Sequence, residues 1–165
     1  MIKFILFMWL SFFVLACNDL DGDEAQEIFP IPQFTSYFTG NSTDKQVSPK
    51  GGVCLMGGAR EDDNAMRWFL KQADGGDILV LRTSGANGYN DYLYSELQVN
   101  VNSVESIVVK KKDASFDFRI HDKINKAEAI WFAGGNQWDY INYWQDTPID
   151  SLINIGIVNR NIVIG

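Results

Sequence analysis

From Gly51 onward the chain alternates short apolar runs with stretches of helical spacing. The run at 53–56, closed by Gly57-Gly58, predicts a buried strand. Asp62 or Asp63 then caps a helix whose Met66, Phe69, Leu70 and Ala73 recur at i, i+3, i+4 and i+7. Gly75-Gly76 ends it. Residues 78–81 predict a second strand with Thr83-Ser84-Gly85 at its carboxyl end, and residues 90–97 a helix containing Tyr92 and Tyr94. A third strand is predicted at 104–109, a short helix at 120–127, and a fourth strand at 129–133, closed by Gly134-Gly135. An aromatic helix runs from Gln137 to about Trp144. The next helix opens on Thr147 as N-cap, with Pro148 at its first position and Asp150 three residues on, the spacing of a capping box. Ile149, Leu152, Ile153 and Gly156 mark its buried face, and residues 162–164 begin a fifth apolar run.

Strands that alternate with helices and are apolar on both faces predict an α/β fold, a parallel sheet with helices on each side. In such a sheet ligands bind at the carboxyl ends of the strands. Gly57-Gly58-Ala59-Arg60, Thr83-Ser84-Gly85 and Gly134-Gly135-Asn136-Gln137 all arrive there. Each glycine pair is explained either by a tight strand-to-helix turn or by main-chain N–H groups left open to a ligand. Neither glycine-rich segment has the spacing of a phosphate loop or a dinucleotide fingerprint. The fifth run has no helix after it, so the domain is expected to continue past Gly165.

The first 50 residues have a different pattern. Lys3 precedes an apolar stretch from Phe4 to Leu15 that is too short to span a bilayer, which takes about 20 residues. Residues 1–16 instead have the layout of a secretory signal peptide. Val14-Leu15-Ala16-Cys17 looks like a bacterial lipobox, in which Cys17 is acylated and becomes the mature N-terminus. Residues 17–50 are expected to be the lipidated cysteine and its tether. Asp19, Asp21, Asp23, Glu24 and Glu27 give that tether little to bury. Phe29, Phe34, Tyr37 and Phe38 are too apolar for pure linker, and the structure of 28–50 stays open.

Composition narrows the chemistry. With Cys17 committed to lipid, Cys54 has no disulfide partner within the 165 residues, and it reads as a small buried hydrophobe. One spare cysteine and the single His121 do not make a metal site, and no cofactor is expected. A net charge of -7 and the lack of a basic stripe argue against a nucleic-acid partner. Lys110, Lys111 and Lys112 read as a solvated strand end.

Three segments carry a resemblance to a known family: residues 52–62 (GVCLMGGARED), the strand end 81–84 (LRTS), and residues 130–137 (IWFAGGNQ). Together with Thr147-Pro148 and residues 162–165 (IVIG), they resemble the cyanophycinase-like serine peptidases of family S51 over residues 51–165. The resemblance implies a three-layer αβα sandwich of the class I glutamine-amidotransferase type, here truncated. It also implies a nucleophile elbow immediately after Gly165, with the histidine and acidic partners further on. His121, Glu61 and Asp62 are therefore not expected in a triad: His121 reads as solvated and Asp62 as a helix start. Gly134, Gly135 and Asn136 correspond to an oxyanion-binding turn, and Gln137 to a substrate-binding glutamine next to the nucleophile. Asn136 stands where the family commonly has aspartate.

The implied function is a lipid-anchored serine peptidase of the cell envelope, at the outer membrane or cell surface. Its partners would be a short or isoaspartyl-type peptide substrate and the membrane, with a homodimer left open. The alternative is a non-catalytic binding lipoprotein on the same fold.

Overall fold

The computed structural model describes residues 33–57 and 60–165. The signal segment, Cys17, the tether as far as residue 32 with all of its acidic stretch, Gly58 and Ala59 lie outside the described residues. Those that are described form a mixed α/β unit around a six-stranded sheet, ordered β1-β4-β3-β5-β6-β2. The strands are β1 (Phe34–Gly40), β2 (Gly52–Val53), β3 (Asp77–Arg82), β4 (Ser103–Val109), β5 (Ala129–Phe132) and β6 (Val163–Ile164). The helices are α1 (Asp63–Gln72), α2 (Phe118–Lys126), α3 (Gln137–Trp144) and α4 (Pro148–Arg160). A π-helical turn at Tyr92–Glu96 and a 3-10 turn at Lys112–Phe116 complete the elements.

Pairing is parallel from β4 through β2, and β1 alone runs antiparallel, against β4 from Phe34↔Val109 to Gly40↔Ser103. The sheet is thus mostly rather than wholly parallel, and it begins before Gly51, where the sequence pattern turns regular. β1 is held by a buried polar anchor. The Asn90 side-chain amide donates to the Tyr37 carbonyl at 2.9 Å, and its oxygen accepts from the Ser106 hydroxyl at 2.6 Å.

Side chains of β3 alternate between two cores. Ile78 and Val80 join Met66, Phe69 and Leu70 of α1 and Leu93 of the π-helical turn. Leu79 and Leu81 join Ile120 and Ile124 of α2, Trp144 of α3 and Ile149 of α4. Helical elements therefore cover both faces of the central strands, and it is this burial that makes residues 78–81 apolar without alternation.

Three local expectations are corrected. The first apolar run is not a buried strand: β2 is two residues long at the sheet edge, beside β6 alone, with Val53 57% and Leu55 87% exposed. The capping box before α4 is not formed. The Thr147 hydroxyl donates instead to the Trp144 carbonyl at 2.6 Å, one of the carbonyls left open at the end of α3. Asp150 accepts from the Asn154 amide at 2.9 Å and not from the Thr147 N–H. His121 is half-buried on α2, with Nε2 2.8 Å from the Ser115 carbonyl. Elsewhere the caps follow the sequence: Asp62 accepts from the Asn64 and Ala65 N–H groups at 3.0 and 2.9 Å.

Candidate functional site

The connections leaving β3 and β5 go to opposite faces of the sheet. After β3 the chain enters the core containing Tyr89 and Leu93, and after β5 the core containing Tyr140 and Trp144. Adjacent parallel strands whose connections diverge leave a crevice between their carboxyl ends, the usual ligand position of an open α/β sheet. One wall is the loop from Thr83 to Gly88 and the other is the turn from Ala133 to Gln137.

The two walls approach each other closely. A Cβ on Gly135 would lie 3.6 Å from the Tyr140 ring, 3.8 Å from the Thr83 hydroxyl and 3.9 Å from the Ser84 hydroxyl. Two segments singled out from sequence, Thr83-Ser84-Gly85 and Gly134-Gly135-Asn136-Gln137, are thus brought together. The third, Gly57 to Arg60, is only partly within the described residues. Among the described residues, the main-chain N–H groups of Gly134, Gly135, Asn136 and Gln137 find no acceptor. A Cβ at Gly134 would meet nothing within 4 Å, and the residue is not in the left-handed region. The fold itself therefore does not require glycine at 134, which leaves room for a group approaching from the crevice.

The four turn residues differ in what they do. The Asn136 side chain caps α3 by accepting from the Trp138 N–H at 3.2 Å, so its amide is already in use. Gln137 is the first residue of α3, exposed, and its side chain has no hydrogen-bond partner among the described residues. Beneath the turn the Tyr140 hydroxyl donates to the Ala133 carbonyl. Burial pushes the Tyr140 phenol up to about 12, so it stays protonated at neutral pH.

β6 delivers the chain to the same place. The Gly165 N–H donates to the Ile130 carbonyl at 3.0 Å, and the Gly165 carbonyl accepts from the Phe132 N–H at 2.7 Å. A side chain at 165 would collide with the Trp131 ring, so glycine is required for β6 to lie this close. Trp131 packs edge-on against Phe69 with centroids 5.3 Å apart.

Three members of the site escaped the sequence reading: Arg82, Tyr89 and Tyr140. The Arg82 Nε donates to the Ser84 carbonyl at 2.6 Å and Nη1 to the Ala86 carbonyl at 2.5 Å. Its guanidinium lies over the Tyr89 ring, 5.9 Å from the centroid, and the Tyr89 hydroxyl donates to Glu61. A charged residue ending the apolar strand DILVLR was the available signal. His121 is bonded to the 3-10 turn through Ser115, and Asp62 is spent on the α1 cap. Cys54 is buried, 6% exposed, and burial pushes its thiol up, away from thiolate chemistry.

One hollow elsewhere in the sheet is less suited to chemistry. A cavity of about 90 Å³ at the opposite, amino end of the strands contains Asp77 and Glu105. Asp77 accepts from Ser103 and Asn102 at 2.5 and 2.8 Å, and Glu105 from Ser36 and Lys123 at 2.5 and 2.8 Å. These carboxylates already have their partners. Among the described residues no group of three or more His, Cys, Asp or Glu is placed to hold a metal ion. No helix among them is long and apolar enough to cross a membrane.

No known family model matches the chain, and no curated protein matches it significantly.

Proposed function

We propose that this chain is the N-terminal part of a serine-type hydrolase resembling the cyanophycinase-like peptidases, built on a class I glutamine-amidotransferase-like αβα sandwich. It would cleave short or isoaspartyl-type peptides, with its nucleophile in a turn directly after Gly165. The observation that carries this reading is the hydrogen bond from Phe132 N–H to Gly165 O. It aligns the end of β6 with the end of β5, which supports a nucleophile following Gly165 beside the N–H groups of Gly134 to Asn136, unpartnered among the described residues. Acyl transfer needs that arrangement: a nucleophile beside preorganised donors about 3 Å from the developing oxyanion. Gln137, exposed at the head of α3, would bind the substrate. The lipobox-like stretch before Cys17 supports anchoring in the cell envelope.

The experiment is active-site labelling of the full-length protein with a fluorophosphonate, followed by peptide mapping, together with hydrolysis of a β-aspartyl dipeptide. The reading expects label on a serine within a few residues after Gly165 and release of the second amino acid. An unlabelled, inactive full-length protein would sink it and favour the binding-lipoprotein alternative.

A further inference from the structure

The carboxyl edge of the sheet holds a cation without a counterion. Among the described residues the ion pairs join Lys50 to Asp74, Arg67 to Asp63, Arg119 to Asp117, Lys123 to Glu105 and Lys126 to Asp122. Arg82 is in none of them, in a chain of net charge -7 where carboxylates outnumber cations. Glu61 is nearby, but its carboxylate accepts the Tyr89 hydroxyl and lies outside ion-pair distance of Arg82.

Nor is Arg82 a loosely solvated surface side chain. Two main-chain carbonyls of its own loop, Ser84 and Ala86, fix the guanidinium plane, and Tyr89 supports it from one side. Gly85 adopts φ +85° with the guanidinium where a Cβ would stand, so the loop is shaped around the charged group. A guanidinium has five N–H donors in a rigid fork. Two are used here, and the Nη2 pair has no acceptor among the described residues. The entropy of holding a long side chain is spent in advance, which favours whatever anion docks on it.

We propose that Arg82 is the carboxylate-recognising residue of this crevice, selecting substrates that carry a free carboxylate beside the amide bond to be cleaved. The proposal rests on reading the carboxyl edge as the substrate site. It adds a named specificity determinant on β3, across the crevice from the Gly134–Gln137 turn. An Arg-to-carboxylate contact is charge-assisted and can be bidentate, whereas a carboxamide in the same place offers one neutral oxygen and sets an N–H donor against the guanidinium.

Binding of a β-aspartyl-alanine amide, whose single carboxylate is the aspartyl α-carboxylate, tests this. Its counterpart carries a carboxamide there. Both are titrated by NMR into the full-length protein, with the first serine after Gly165 changed to alanine so that neither ligand is consumed, carrying Arg82, Arg82→Gln or Arg82→Lys, with folding of each checked by circular dichroism. The expected result is at least tenfold tighter binding of the carboxylate form to wild type, and a preference below twofold in Arg82→Gln. Arg82→Lys keeps the charge without the fork and should show an intermediate preference. If Arg82→Gln does not fold, the lysine variant decides, and a preference equal to that of wild type overturns the proposal. Equal binding of the two ligands to wild type, or no binding of either, overturns it as well. The assay needs no nucleophile, so its failure is separable from failure of the hydrolase reading. Full-length protein that hydrolyses both forms equally would keep the hydrolase and remove this role for Arg82.

Discussion

The Glu128 carboxylate, 5% exposed at the head of β5, accepts the main-chain N–H of Asp77 at the head of β3 at 2.7 Å. Together with the Glu128 N–H, which donates to the Asp77 carbonyl at 3.0 Å, this bond ties two central parallel strands at their amino ends. Burial pushes the Glu128 carboxyl up to about 7. Asp77 and Asp44 add to the rise, while the Asp77 N–H and the Arg160 charge oppose it. The folded state thus holds the Glu128 proton more tightly than the unfolded chain does, and protonation favours folding. That contribution is complete below the ordinary carboxyl value near 4.5 and is lost as pH rises through about 7. The loss is on the order of 2–3 kcal/mol across the window. Urea midpoints measured from pH 4.5 to 8 should fall for wild type. Glu128→Gln, which keeps an acceptor for Asp77 and cannot titrate, should flatten the profile. An unchanged slope in that variant would locate the titrating group elsewhere.

The two helix starts read from sequence make a second contrast. Asp62 accepts two α1 N–H groups, so Asp62→Ala should cost about 1 kcal/mol. Asp150→Ala, expected to be equally damaging had the capping box formed, should cost less than about 0.5 kcal/mol. Among the described residues its carboxylate serves only Asn154 and, at 3.4 Å, the Asp146 N–H. Parallel denaturation curves of the two variants check the ordering.

What was legible in the sequence follows from where each signal originates. Met66, Phe69 and Leu70 are all fully buried on α1, and the run at 78–81 is the buried centre of the sheet, so periodicity and hydrophobicity reported them directly. β1 was not legible, because Thr35, Ser36 and Thr39 interrupt its aromatics, and its partner strand β4 and the Asn90 anchor both lie far along the chain. Pattern alone could not tell the edge run at 53–56 from a buried one, since a short apolar run is the same in both. The capping box failed because the Gln145-Asp146 turn brings the Trp144 carbonyl within reach of the Thr147 hydroxyl, a competitor visible only in three dimensions. At the site, glycine pairs pointed to the crevice. Arg82 and Tyr140 were missed because their roles depend on a loop and a helix meeting across two strands.

Asn90 gives the third prediction. Asn90→Ala removes the donor to Tyr37 and the acceptor of the Ser106 hydroxyl, stranding two polar groups under β1. The expected loss is about 2–3 kcal/mol. Amide exchange should accelerate in β1 before it does in β3. Uniform acceleration across the sheet would show that β1 is not separately anchored.

Anchoring is tested at Cys17. If Cys17 carries lipid, Cys17→Ala should move the full-length protein from the membrane fraction to the soluble periplasmic or secreted fraction. A variant that stays membrane-bound after a salt wash would mean another anchor.

Gln137 and Asn136 separate the roles within the turn. They are neighbours at the head of α3, yet among the described residues only Asn136 has a side-chain hydrogen bond, to the Trp138 N–H. Asn136→Ala should therefore destabilise the fold by about 1 kcal/mol through loss of the cap. Gln137→Ala should leave stability within about 0.5 kcal/mol, because an exposed side chain with no partner is replaced by a better helix former. Activity should move the other way. A Gln137 amide contributing one or two hydrogen bonds to bound substrate is worth roughly 1–3 kcal/mol, or about 5- to 150-fold in kcat/KM. Both variants are compared in the full-length protein by denaturation midpoint and by kcat/KM on a β-aspartyl dipeptide. The crevice reading requires that Gln137→Ala lose turnover while keeping its midpoint. If Gln137→Ala keeps its activity within twofold, the glutamine only begins a helix, and the substrate must then be held by the N–H groups and by Arg82 across the crevice.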